Sequence, residues 1–159
     1  MKRIWIMFTM LFALTGVCLA AEKGVEGPSD CKKCGMNRTK FAQSRMVVTY
    51  SDGSSGICSI NCAVADMRER KGKETRSFQV GDYDSRKLID AKVATWVIGG
   101  KKRGVMTPVA KWAFADKSRA EKFIKENGGR LATFDDVLKA TEKELKEQEQ
   151  HEGHSGHKM

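Results

Sequence analysis

The chain has 159 residues, 40% apolar and 31% charged, with a net charge of +9, which is enough for one compact domain or two very small subdomains and too little for two independent large cores. The positive balance does not point to nucleic acid, because lysine and arginine are scattered and no basic helix with interleaved aromatics occurs. It suits solubility and contact with acidic partners or an anionic membrane face.

Lys2 and Arg3, an apolar stretch from Ile4 to about Leu14 and the small residues around Cys18-Leu19-Ala20-Ala21 predict an export signal over 1–21. The stretch is too short for a membrane anchor, so no stable span is expected after cleavage. Lipid attachment through Cys18 is the secondary expectation, because Thr15 stands where a lipoprotein signal wants a leucine-like residue. The expected product is soluble, periplasmic or exported, and loss of Lys2 and Arg3 lowers its net charge from +9 by two, to +7.

A polar linker over 22–30 leads into a cysteine knuckle. Met46 to Tyr50 reads as a strand, Ser51 to Gly56 as a hairpin turn, and Cys58 as the end of a short return strand. Ser59 is placed to cap a helix from Ile60 to about Lys71 that closes at Gly72. Thr75 to Val80 is the next strand. The second half repeats the plan: a strand from Val93 to Ile98, a turn over 99–102, a return strand Lys111 to Phe114, a helix from Lys117 to Asn127 capped by Asp116 and ended by Gly128-Gly129, and a strand from Arg130 to Phe134. Setting Ile57–Ala63 over Phe114–Ala120 puts cap on cap and Met67 on Ile124. The expected fold is therefore α+β: two small ββαβ units sharing a core, over 31–81 and 82–138. Asp135 is expected to cap a last helix from Asp136 to about Gln150, and 139–159 to be a solvated helix and flexible histidine-rich tail.

Four cysteines outside the leader carry the chemistry. In CKKCGM, 31–36, Cys31 and Cys34 have the spacing that brings two sulfurs to one side of a turn, and Cys58 and Cys62 in CSINC supply a second pair. Cys62 falls in a first helical turn, where the backbone N–H groups favour thiolate. Met36 adds a thioether, which suits Cu(I) better than Zn(II), and Met106, before Pro108, is a second candidate thioether. Met46 and Met67 match packing positions. His151, His154 and His157 recur every three residues in HEGHSGHKM and can take Cu(II), Cu(I), Ni(II) or Zn(II). Spacing alone leaves copper and a structural four-thiolate zinc site open, with paired disulfides a further alternative in an oxidising compartment. No enzyme signature occurs: there is no nucleophile elbow, no phosphate loop and no histidine in the folded part to serve a cysteine nucleophile, while Asp82, Asp84 and Asp90 fit capping and turn roles.

Three stretches together resemble the NosL family of periplasmic accessory proteins linked to copper supply for nitrous oxide reductase: CKKCGM at 31–36, DYDSRKLIDAKVATWV at 82–97 and VMTPVAKWAFADKSRAEKFIKENGG at 105–129. The resemblance covers about 28–138. It implies a Cu(I)-binding chaperone built from two treble-clef-like units, akin in fold to part of the organomercurial lyases. Family members are often lipoproteins, and the leader here departs from that. The Cys58/Cys62 pair is a second departure, and it makes the first half also resemble the TRASH and YHS-type metal-binding knuckles. The expected function is a Cu(I) carrier serving a periplasmic copper enzyme or copper transporter, with a Zn(II)-stabilised treble-clef interaction module and then a thiol-disulfide oxidoreductase as the alternatives, and a homodimer around shared copper left open.

Overall fold

The computed structural model describes residues 25–155, with side chains to His151. The expected export signal over 1–21, with Cys18, and His157 and Met159 lie outside these residues.

Strand β1 (Met46–Tyr50) turns Met46, Val48 and Tyr50 inward by the period-two alternation of a half-buried strand. It pairs antiparallel with β2 (Gly53–Ile57) on one side and β3 (Thr75–Gly81) on the other, and β4 (Leu88–Asp90) extends β3, giving the order β2-β1-β3-β4. Helix α1 (Ile60–Glu69) links β2 to β3. The second sheet has the order β6-β5-β7, with β5 (Thr95–Ile98) pairing antiparallel to both β6 (Lys111–Phe114) and β7 (Arg130–Ala132). Helix α2 (Lys117–Asn127) joins β6 to β7 as α1 joins β2 to β3. The expected pair of ββαβ units is thus present, each with its first strand in the middle. Phe134, opening α3 (Phe134–Ser155), packs on Phe78 of β3 and Trp96 of β5, with ring centroids 5.0 and 6.0 Å away, and so ties the two sheets into one core.

Each unit opens on the same knuckle. In the first, Cys31 N–H donates to Met36 O, Gly35 N–H to Cys31 O, and Lys32 N–H to Gly56 O of β2, at 2.8, 2.8 and 3.0 Å. In the second, Asp82 N–H donates to Lys87 O, Arg86 N–H to Asp82 O, and Tyr83 N–H to Ala113 O of β6, at 2.8, 2.9 and 2.8 Å. The left-handed residue in the turn is Gly35 (φ 73°) in one and Arg86 (φ 62°) in the other. Glycine takes this conformation without steric cost; arginine does not. The pairings flanking the turns match too, Asp30 with Asn37 and Gly81 with Leu88.

Several boundaries differ from the sequence expectation. The hairpin after β1 turns on Ser51 and Asp52 alone, and β2 starts at Gly53, because ladder bonds along β1 hold a segment too polar to read as a strand. Val93, 82% exposed, stands before β5 rather than in it. α1 ends at Glu69. Ser59 makes no side-chain cap bond, whereas Asp116 accepts from Ser118 N–H as expected. The cap of α3 is Thr133, not Asp135: Thr133 Oγ1 accepts from Asp136 N–H and the Asp136 carboxylate accepts from Thr133 N–H and hydroxyl, a reciprocal box. α3 runs to Ser155 and is not solvated on every side. Thr141 is buried, the fully buried Lys111 Nζ donates to Glu144 at 2.7 Å, Thr107 donates to the same carboxylate, and Arg68 of α1 donates to Glu149 and to Glu142 O.

Candidate metal centre

The first knuckle and the end of β2 bring the four cysteine sulfurs together. All four Sγ atoms lie within 4.8 Å of one another, with Cys34 to Cys58 at 3.5 Å and Cys58 to Cys62 at 3.6 Å. Four sulfurs bound at about 2.3 Å in a tetrahedron stand roughly 3.8 Å apart, so the thiols already have nearly the spacing of one coordination shell. None is in a disulfide; the two pairs converge. Cys31, Cys58 and Cys62 are buried, and Cys34 is exposed.

Convergence concentrates negative charge on one sulfur. The Cys58 thiol is lowered to about 6, because Cys62, then Cys34, Cys31 and Ser59 direct hydrogen bonds at it and together outweigh its burial. Cys62 is pushed the other way, first by donating to Cys58 and then by burial. Burial, with the neighbouring thiols, raises Cys34 to about 11. Hydrogen bonding within the cluster thus draws Cys58 toward the thiolate and Cys62 toward the thiol, against the pull of the first turn of α1 on Cys62.

A side chain that sequence reasoning missed holds this arrangement. Arg38 is fully buried and spends its guanidinium on backbone: Nη1 donates to Glu26 O and Pro28 O at 2.7 and 2.6 Å, Nε to Ile57 O at 3.3 Å and Nη2 to Met46 O at 3.4 Å. It thereby clasps the segment before the knuckle, β1 and the residue preceding Cys58. A Cβ on Gly56 would stand 2.8 Å from the Arg38 guanidinium carbon; that glycine was the available signal, yet in the sequence it reads as a turn residue. Arg45 anchors the same segment through Glu26 at 2.7 Å.

Of the other candidate ligands, Met36 is partly buried and Met106 is exposed, and the two line one groove. Met106 has φ 60°, and its carbonyl accepts from Asn61 Nδ2 at 3.0 Å, which ties the 103–109 loop to the residue before Cys62. Met46 is buried and Met67 packs on the core, as expected. His151 is exposed near the end of α3, outside the four-cysteine group, and the backbone of His154 lies in the last turn of that helix. In the second unit, Asp82 and Ser85 occupy the places of Cys31 and Cys34, and Ala115 and Arg119 those of Cys58 and Cys62. The Asp82 carboxylate accepts from Ser85 N–H, Ser85 Oγ and Ala115 N–H at 2.7, 2.6 and 2.8 Å, so hydrogen bonds close this knuckle. Arg119 pairs with Asp84 at 2.7 Å.

A small α+β chain with four converging thiols, one of them open to solvent, has a cluster that could hold a soft metal ion. The NosL family profile matches residues 23–141. The chain belongs to the NosL family. Its structure is similar to the crystal structure of the copper chaperone NosL from Shewanella denitrificans, with a TM-score of 0.61 and 23% identity over 76% of this chain and 97% of that one. No curated protein matches the sequence.

Proposed function

We propose that the chain is an exported Cu(I) carrier that supplies a periplasmic copper enzyme such as nitrous oxide reductase, or a copper transporter. Cys31, Cys34, Cys58 and Cys62 hold the ion with Met36 and Met106 at the edge, and His151, His154 and His157 serve as a loading arm. The observation that carries the reading is the asymmetry of the cluster: four sulfurs within 4.8 Å, three buried and one exposed. Buried sulfurs give retention. The exposed Cys34 gives a place for exchange, because Cu(I) accepts two to four ligands and an acceptor's donor enters before one of the chain's own leaves. Protein contacts through Arg38 and the knuckle backbone hold the donors in place, as suits a cargo that comes and goes.

Anaerobic titration of the reduced chain with Cu(I) against a competing chelator tests this. The expected result is stoichiometric binding that is lost in a Cys31→Ser/Cys34→Ser double variant; equal affinity in the two proteins rejects it.

The near-tetrahedral sulfur spacing also favours a second reading, a zinc-stabilised module in which Zn(II) is a permanent part of the fold. One tightly held zinc in protein purified without added metal, whose removal unfolds the chain, would support that reading against the carrier.

A further inference from the structure

A groove of about 1150 Å³ is walled by Met36, Phe41, Met106, Pro108 and Trp112. It begins at Met36, two residues after the exposed Cys34, and its far wall is the loop that Asn61 ties to α1 next to Cys62. We propose that this groove is the docking site for an extended, acidic, methionine-bearing segment of the protein that receives the ion. The proposal rests on the carrier reading above.

Three observations define the occupant. Trp112 is 3% exposed, lines the groove, and its indole N–H has no acceptor among the described residues. A buried donor without an acceptor is unfavourable, so something that brings an oxygen is favoured there. An extended peptide has free backbone carbonyls to offer; a helix has committed its own to the i+4 N–H groups. Charge gives the second constraint. Among the described residues Arg103 is the one charged residue lining the groove, and no carboxylate lines it. That field draws an acidic chain and disfavours a basic one. The thioethers of Met36 and Met106 supply the third, being adaptable surfaces that accept another unbranched apolar side chain. A methionine lying along them brings a neutral soft donor against Met36, two residues after Cys34. Together these make a segment alternating acids and methionines the best-fitting occupant.

The test uses the full chain labelled with 15N at tryptophan and two synthetic peptides, one alternating aspartate with methionine, the other lysine with leucine. Trp96 is the internal reference, because its indole N–H already donates to Ala91 O at 2.8 Å. The expected result is that the aspartate/methionine peptide moves the Trp112 indole resonance, leaves Trp96 in place, and binds roughly tenfold more weakly to an Arg103→Glu variant that still takes up Cu(I) stoichiometrically. Equal shifts with the lysine/leucine peptide, or no shift at Trp112 in a chain that titrates normally with Cu(I), overturn the docking site and leave the carrier intact. Movement of Trp112 on truncation after Gln150 without peptide assigns the groove to the chain's own tail, and movement on dilution assigns it to a second copy; either overturns the proposal. Failure of the Cu(I) titration strikes the carrier reading instead.

Discussion

Cys58 stands where three other thiols and the Ser59 hydroxyl can all donate to one sulfur, and that convergence decides the pH behaviour of the metal-free chain. Its thiol is lowered to about 6 in the fold, against an ordinary value of about 8.5–9. Between these values the unfolded chain binds the extra proton, so stability from this group rises with pH over the window and is lost as pH falls through about 6. Cys34, raised to about 11, and Cys62, also raised, work in the opposite sense. Above about pH 9 the unfolded chain releases their protons while the fold retains them, so stability declines. The reduced, metal-free protein is expected to be most resistant to denaturant near pH 9, and Cys58→Ser to flatten the rise on the acid side; urea titrations across pH check this. Arg38 is the second residue-scale test. Arg38→Met leaves the carbonyls of Glu26, Pro28, Met46 and Ile57 to find new partners, and about 3–5 kcal/mol of stability is expected to disappear in denaturant unfolding. Neither behaviour was readable in the sequence. The spacing of the cysteines identified the cluster, but which sulfur holds the charge depends on who donates to whom, and Arg38 looks like any other arginine until the chain folds around it.

At the scale of elements, the two knuckles solve one problem in two ways. Each must fasten a tight turn to the end of a return strand and the start of a helix. The first puts sulfur at all four corners; the second uses the carboxylate of Asp82 as a hub for three donors. Burial tends to raise the Asp82 carboxyl, but the bonds from Ser85 and Ala115 prevail and hold it below its ordinary range. Its contribution is therefore complete at neutral pH and is lost only as pH falls through that depressed value. Asp82→Asn exchanges one acceptor oxygen for a donor and is expected to cost about 2–3 kcal/mol, by the same amount with or without metal. Hydrogen exchange should localise the loosening to β4, β6 and the start of α2. The ββαβ repeat itself was legible from matched caps, matched helix ends and the Ala63/Ala120 correspondence. The second knuckle was not, because DYDSRK shares no ligand with CKKCGM and only the backbone reveals the likeness. β4 escaped notice because its three residues are too few to show a period. The outer part of α3 escaped because the partners of Glu144, Glu142 and Glu149, Lys111 and Arg68, lie far away in sequence.

For the whole molecule, the deciding question is whether the ion is part of the fold or passes through it. The chain has two sheets bridged by Phe134, a knuckle fixed by its own backbone bonds, and an Arg38 clasp across β1 and β2. None of these contacts requires an ion, and the second unit has the same architecture closed by hydrogen bonds alone. Removing metal from the reduced protein is accordingly expected to leave a cooperative thermal transition and native far-ultraviolet dichroism, with loosening confined to the first knuckle. Adding Cu(I) should then raise the transition by mass action: about 4 kcal/mol when free ion exceeds the dissociation constant a thousandfold, or roughly 10–20 °C for a chain of this size. A permanent zinc site behaves differently. There the binding free energy of the ion is part of the folding free energy, and the chelated protein should lose its transition altogether. Calorimetry of one preparation before chelation, after it, and after refilling with each ion separates the two, and collapse of the chelated chain would remove the basis for treating the ion as cargo.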